Sequence, residues 1–241
     1  FSHTKWLLPL WILLIGSIVL YMIAHAVQQN DSRHIRTLAE LNAVTYGDNM
    51  IADLNAGINI TDTLEQLLIS TDGRIDKFDI IADRMMADYV RSIQVAPGGI
   101  VTDIYPAEGN EAGKIDLIHD KYRGETVNYS IANDVLIIHG PFELEQGGHV
   151  LSIRNPVFLQ DEKGTPYFWG MTMVIIKVPD IFQHSADALT NFGYQYRLSK
   201  TISPLTDEYT VVDQSEETLM DPVSYDCLLY TSPSPRDRQK S

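Results

Sequence analysis

The chain has 241 residues, enough for one ordinary domain with a small companion, and its 32 acidic against 18 basic side chains give a formal net charge of −14. So acidic a surface offers no basic field to collect nucleic acid, and it disfavours an anionic ligand except where a buried arginine reverses the sign locally. The single cysteine, Cys227, excludes an intramolecular disulfide framework, so an exported domain would rest on a packed core.

The sequence opens on Phe1 rather than methionine, so its natural start is expected upstream, with residues 1–5 a cytoplasmic remnant. Residues 6–27, from Trp6 to Val27, carry no charge and are interrupted only by Pro9, Gly16, Ser17 and His25. As a helix they match the ~30 Å hydrocarbon thickness of a bilayer. Trp6, Trp11 and Tyr21 suit the interfacial belts, and Lys5 is a single cytoplasmic-side charge. Ala24-His25-Ala26 has the form of a cleavage site, but the apolar run is longer than the ~7–15 residues of a signal peptide, which favours an uncleaved signal anchor. Arg33 and Arg36 lie just outside and blur the charge asymmetry that sets orientation.

Beyond the anchor, Ile35, Leu38, Leu41, Val44, Ile51, Leu54 and Ile58 recur at steps of three, four and seven, the signature of one face of a long stalk helix. Asp62-Thr63-Leu64-Glu65 has the form of a capping box and predicts a second helix ending near Asp72-Gly73. Ile80, Ile81, Met85, Tyr89 and Val90 predict a third over residues 76–92. From Ile93 the period changes: Pro97-Gly98-Gly99 marks a turn between two short strands. Residues 113–132 suggest a polar helical connection, and Val135 to Ile138 a buried strand stopped by Gly140-Pro141. Phe142 and Leu144 alternate with Glu143 and Glu145. Gly147-Gly148 turns the chain into a strand over residues 149–158, and Tyr167 to Val178 is apolar enough for a central strand. Phe192 to Val212 suggests the start of a second, smaller strand unit. Strands joined by turns after a helical block predict an antiparallel sheet and an α+β fold.

The stretch from Cys227 to Asp237 back-translates in one frame into a transposase adapter used for sequencing libraries. Residues 224–241 are therefore set aside as an artefact rather than a Pro/Ser linker, and Cys227 carries no functional weight.

Seven motifs occur in one order: Pro97-Gly-Gly-Ile-Val-Thr-Asp-Ile-Tyr-Pro106, Gly109-Asn110, Ile115-Asp116-Leu117-Ile118, His139-Gly-Pro-Phe142, Gln146-Gly-Gly148, Arg154-Asn-Pro-Val-Phe158 and Phe168-Trp-Gly170. Together they resemble the CHASE domain, the extracytoplasmic sensor module of bacterial histidine kinases and diguanylate cyclases, also found in plant cytokinin receptors. The resemblance implies a stalk helix that dimerises and two PAS-like lobes, a distal one over residues 93–182 and a partial membrane-proximal one over 183–223. With the anchor at 6–27 and a helical region over 28–92, it places the sensor outside the cell membrane, with a kinase or cyclase domain elsewhere in the whole protein and no catalysis or cofactor in this part. In the cytokinin-type members an aspartate followed by two apolar residues contacts the ligand, and Asp116-Leu117-Ile118 is similar to that segment. His139 stands where those members have a threonine, which argues against a cytokinin as ligand.

The candidate ligand-binding residues are therefore Asp116, Leu117, His139, Tyr105 and Arg154. A carboxylate at Asp116 can accept hydrogen bonds from ligand N–H groups, or it can serve as a helix-end charge. Tyr105 closes a strand expected to line the pocket. His139 ends a buried strand and either faces the pocket or satisfies a neighbouring backbone group. Arg154, mid-strand among apolar residues, needs a partner, and an internal pair with Glu143 or Glu145 competes with a ligand carboxylate. Asp116, His119, His139 and His149 show no metal-ligand spacing, and no Gly-x-Ser-x-Gly or phosphate-cradling loop occurs. A membrane-anchored extracytoplasmic hydrolase is the competing reading, with Glu143 and Glu145 as its one carboxylate pair.

Overall fold

The computed structural model describes residues 4–107, 113, 115–144, 147–215 and 218–226. These form an α+β structure: a long N-terminal helix, then a five-stranded antiparallel sheet and a two-stranded one. The chain separates into two compact units, residues up to 47 with 221–226, and residues 48–220.

Helix α1 runs from Thr4 to Ser70 and contributes to both units. It is the one helix among the described residues long and apolar enough to cross a membrane. In the first unit its apolar side chains from Leu10 to Val27 are exposed, as are Ile35, Leu38, Leu41 and Val44. Arg36 Nη1 donates to both carboxylate oxygens of Asp221 at 3.0 Å, and Arg36 Nε lies 3.6 Å from Glu40. Tyr225, from the stretch read as adapter-derived, lies against Gly47. Residues 227–241, which hold the rest of that stretch, lie outside the described residues, as do Gly109-Asn110, Glu145 and Gln146 of the motifs.

In the second unit the part of α1 from Asp48 onward packs on one face of the large sheet. Leu54, Ile58, Leu64 and Leu68 are buried, and the δ-methyls of Ile153 and Ile176 close over Gly57. The capping box is not used as one: the helix passes through Asp62 unbroken, and Asp62 and Glu65 both accept from Asn155 Nδ2, at 3.5 and 2.9 Å. No glycine or proline falls between Ile58 and Ser70, so the helical pattern continues to Ser70. The helix expected over residues 76–92 shrinks to α2, Phe78–Met85, because Val90 starts strand β1, Val90–Pro97. Val90, Ile93 and Val95 are β-branched and suit a pleated, buried strand better than a helix.

Strand β2, Asp103–Tyr105, follows the glycine turn, and the expected helical connection narrows to α3, Gly124–Asn133. Asp116 therefore sits not on a helix but in an isolated bridge to Ile100. Strands β3, Ile137–Glu143, β4, His149–Gln160, and β5, Pro166–Val178, complete a sheet of order β2-β1-β5-β4-β3, antiparallel throughout. Gly140-Pro141 does not stop β3. Instead the register shifts between His139 and Phe142, with Gly140 at φ +110°, where a Cβ would lie 2.8 Å from the Val150 carbonyl oxygen. Gly170, on β5, allows a close strand approach: a Cβ there would lie 2.4 Å from the Ala96 carbonyl oxygen. Helix α4, Gln183–Asn191, leads to the hairpin β6, Arg197–Thr201, and β7, Tyr209–Gln214, the smaller strand unit read from the sequence.

The sheet face away from α1 is covered by α3 and by the segment before it. Ala96, Val101, Leu117, Val127, Ile137, Met171 and Met173 form its buried core. Large apolar residues dominate this core, and burying each stabilises the fold by ~1.5–3 kcal/mol.

Candidate ligand-binding site

Two adjacent rows across the α3-covered face carry the polar side chains. One row pairs Gln94 with Met173, Met173 with Arg154, and Arg154 with Ile137. The next pairs Ser92 with Ile175, Ile175 with Ser152, and Ser152 with His139. Paired residues share a face and residues two apart return to it, so Arg154, Ser152 and His139 point the same way as Ile137 and Met173. Leu151 and Ile153, between them, point toward α1.

Arg154 is 2% exposed. Its Nε donates to Ser152 Oγ at 3.1 Å, and its Nη1 is buried with no hydrogen-bond partner. The internal pair with Glu143 is absent: Glu143 lies opposite His149, at the far end of β3 from Ile137, the residue opposite Arg154. His139 Nδ1 is likewise buried without a partner. Only three buried side-chain polar atoms among the described residues lack one, Ser185 Oγ being the third, so this face holds two of them.

Three further groups converge on His139. Its ring meets Phe142 edge-on at 6.2 Å, and Arg123, entering α3, lies over the same Phe142 ring at 5.5 Å. Lys200 Nζ, from β6, donates to the carbonyl of Gly140 at 3.2 Å and to those of Thr201 and Ile202 at 2.5 and 3.4 Å. Asp120 Oδ1 accepts the N–H groups of Tyr122 and Arg123 at 2.9 Å, shaping the turn into α3.

The ionisations follow from this crowding. Burial, and then the Arg154, Arg123 and Lys200 cations, press the His139 imidazole down to about 4, so it is neutral at pH 7. Burial and the nearby Arg123 lower Arg154 to about 10 against the opposing pull of Asp120, and it stays cationic. Burial brings the Lys200 ammonium down to about 8. Burial works against ionisation of Asp120, yet the two backbone N–H bonds and the Arg123 and Arg154 charges hold its carboxyl below the ordinary value.

Of the sequence candidates, the structure thus brings His139 and Arg154 together, with Leu117 buried in the core beneath the same helix. Asp116 is turned to its own loop: Oδ1 accepts from the Ile118 and His119 N–H groups at 3.1 Å, and Oδ2 meets His119 Nδ1 at 2.8 Å. Tyr105 pairs with Ile93, on the α1 side, and its hydroxyl donates to Asp83 of α2 at 2.5 Å. Sequence reasoning missed Ser152, Asp120, Arg123 and Lys200. Asp120 had a signal, an aspartate shortly before a helix start; Lys200 had none, since only the tertiary fold carries β6 to Gly140. No group of three His, Cys, Asp or Glu side chains that could hold a metal occurs among the described residues.

No family model matches the chain, and no curated protein is similar to it in sequence. Among solved structures, an extracellular ligand binding receptor from Desulfohalobium retbaense DSM5692 is similar over 64% of this chain, with 15% identity and a TM-score of 0.50. The chain matches 28% of that receptor's length, and at this identity the likeness is one of fold.

Proposed function

We propose that this chain is the extracytoplasmic small-ligand-sensing part of a transmembrane signalling receptor of the CHASE type, anchored by the apolar start of α1. The observation that carries the reading is the pair of orphaned polar groups, Arg154 Nη1 and His139 Nδ1, under α3 on an antiparallel sheet. Buried polar atoms without partners cost ~1–3 kcal/mol each, so two of them on one face support a ligand bound there. The membrane-length helix and the fold likeness to part of an extracellular ligand binding receptor support the same reading. The exposed row Ile35, Leu38, Leu41 and Val44 at helical spacing supports pairing of the stalk with a second copy. In this scheme ligand binding shifts the populations of a dimer and the membrane helices pass the shift to a kinase or cyclase domain.

The test is a thermal-shift screen of the full chain in detergent against acidic, neutral and basic metabolites, followed by hydrogen exchange with any stabilising compound. Saturable stabilisation with protection in β3, β4 and the start of α3 supports the reading. Turnover of a compound, or protection confined to other elements, overturns it.

A further inference from the structure

We infer that the site under α3 takes a small organic carboxylate, gripped by Arg154 and His139, although the protein as a whole is strongly acidic. The inference rests on the sensor reading above and adds the chemical class of its ligand.

Two polar atoms under α3 are left without a partner among the described residues, Arg154 Nη1 and His139 Nδ1. Arg154 is almost wholly buried, and its guanidinium has one partner, the neutral Ser152 Oγ on Nε. Asp120 is the carboxylate whose charge acts on Arg154, and one of its oxygens is already taken by two backbone N–H groups. His139, opposite Ser152, is the diagonal cross-strand neighbour of Arg154. Such positions are ~7–8 Å apart, within reach of long side chains converging on one small group. In the Nδ1–H tautomer His139 supplies a second unsatisfied donor on the same sheet face. Two orphaned donors match the two oxygens of one carboxylate.

The surrounding charge points the same way. Among the described residues, the charges that act on His139 are the cations Arg154, Arg123 and Lys200 and one carboxylate, Asp120, so its surroundings are positive inside a protein of net charge −14. A desolvated cation of this kind binds a carboxylate through charge-assisted hydrogen bonds, and the planar guanidinium fits its geometry. Phosphate suits the site less well. A dianion with four oxygens needs more free donors, and Lys200 Nζ is occupied by three carbonyls while Arg123 lies against Phe142. Ile137, Ile175 and Met173, interleaved with the polar residues, offer an apolar wall for a short carbon skeleton.

The experiment uses the full chain in detergent, titrated with propionate, pyruvate, succinate and benzoate, with propionamide, benzamide, benzylamine and inorganic phosphate alongside. At least one carboxylate should raise Tm saturably, while its matched amide produces no shift. Arg154→Met should lose that shift while still unfolding cooperatively, and Arg154→Lys should weaken binding at least tenfold, since lysine keeps the charge without the fork. His139→Phe should weaken it less than Arg154→Met. The carboxylate assignment is overturned if no carboxylate shifts Tm below ~10 mM, if amide and carboxylate bind alike, if the shift persists in Arg154→Met, or if phosphate alone binds. An amide or amine that protects β3 and β4 from exchange would overturn this assignment and leave the sensor reading standing. Protection confined to other elements would remove both.

Discussion

Arg154 and Ser152 project from the same strand to the same face, and the guanidinium Nε donates to the serine Oγ at 3.1 Å while Nη1 ends against protein with no acceptor. An arginine packed among Met173 and Ile137 with one neutral partner does not stabilise the fold. Its desolvation is offset by one neutral hydrogen bond, and the proposed carboxylate would supply the missing acceptor.

Arg154→Met should therefore make the ligand-free protein more stable, by about 1–3 kcal/mol, because an apolar side chain of similar length removes the unpaired charge and keeps the packing. Urea unfolding of the full chain in detergent measures this directly. A loss of stability would mean that the guanidinium has a structural partner in the unliganded state.

His139 gives a second, pH-dependent signature. Its folded value of about 4 lies below the ordinary 6.5, so between those values the unfolded chain binds a proton that the folded chain does not. Stability then rises with pH across that window and falls as pH drops from 6.5 toward 4. Partial exposure of the ring reduces the effect through solvent screening, leaving about 1–2 kcal/mol. Carboxylates titrate over part of the same range, so the measurement is the difference between the wild type and His139→Gln. The wild type should lose more stability than the variant on acidification, and parallel curves would place His139 in a solvated setting.

What the sequence reveals of this protein depends on the range of the interactions involved. The turn at Pro97-Gly98-Gly99, the apolar strand ending at Val178 and the smaller strand unit after Phe192 announce themselves through local chemistry, and the structure has all three. Asp62 and Glu65 mimic a helix start because their side-chain types fit one, whereas their bonds go to Asn155, 93 and 90 positions further along the chain. Arg154 was recognisable as a residue that needs a partner, but register decides which: the pairing of β3 with β4 moves Glu143 to the other end and sets His139 beside Ser152. Lys200 could not be foreseen, since nothing local ties it to Gly140.

Gly170 tests the sheet that supports the site. Its Cα faces the carbonyl of Ala96 so closely that a Cβ would lie 2.4 Å from that oxygen and 2.8 Å from the Cα of Pro97. Both obstacles are backbone, which cannot rotate away, so β1 and β5 would have to separate. Gly170→Ala should cost about 1–3 kcal/mol, the usual range for overpacking. Wild-type stability in this variant would show that the two strands slide apart freely.

Asp116 is the residue on which the family resemblance and the geometry diverge, and a substitution separates them. By resemblance, its carboxylate contacts the ligand. By geometry, that carboxylate holds the loop before α3, accepting the Ile118 and His119 N–H groups and meeting the His119 ring. The His119 side chain, followed by its backbone N–H, holds the Asp116 carboxyl below its ordinary 3.8. The stabilisation this represents is complete above 3.8 and is lost as pH falls through the lowered folded value. Asp116→Ala should accordingly speed amide exchange at Ile118 and His119 and lower stability slightly, an effect that disappears in strong acid. Asp116→Asn should keep both backbone bonds and exchange slowly. Neither variant should alter the affinity of a ligand whose binding depends on Arg154. If instead Asp116→Asn abolishes binding while the Ile118 and His119 amides stay protected, the carboxylate belongs to the ligand, and the loop bonds are what aim it.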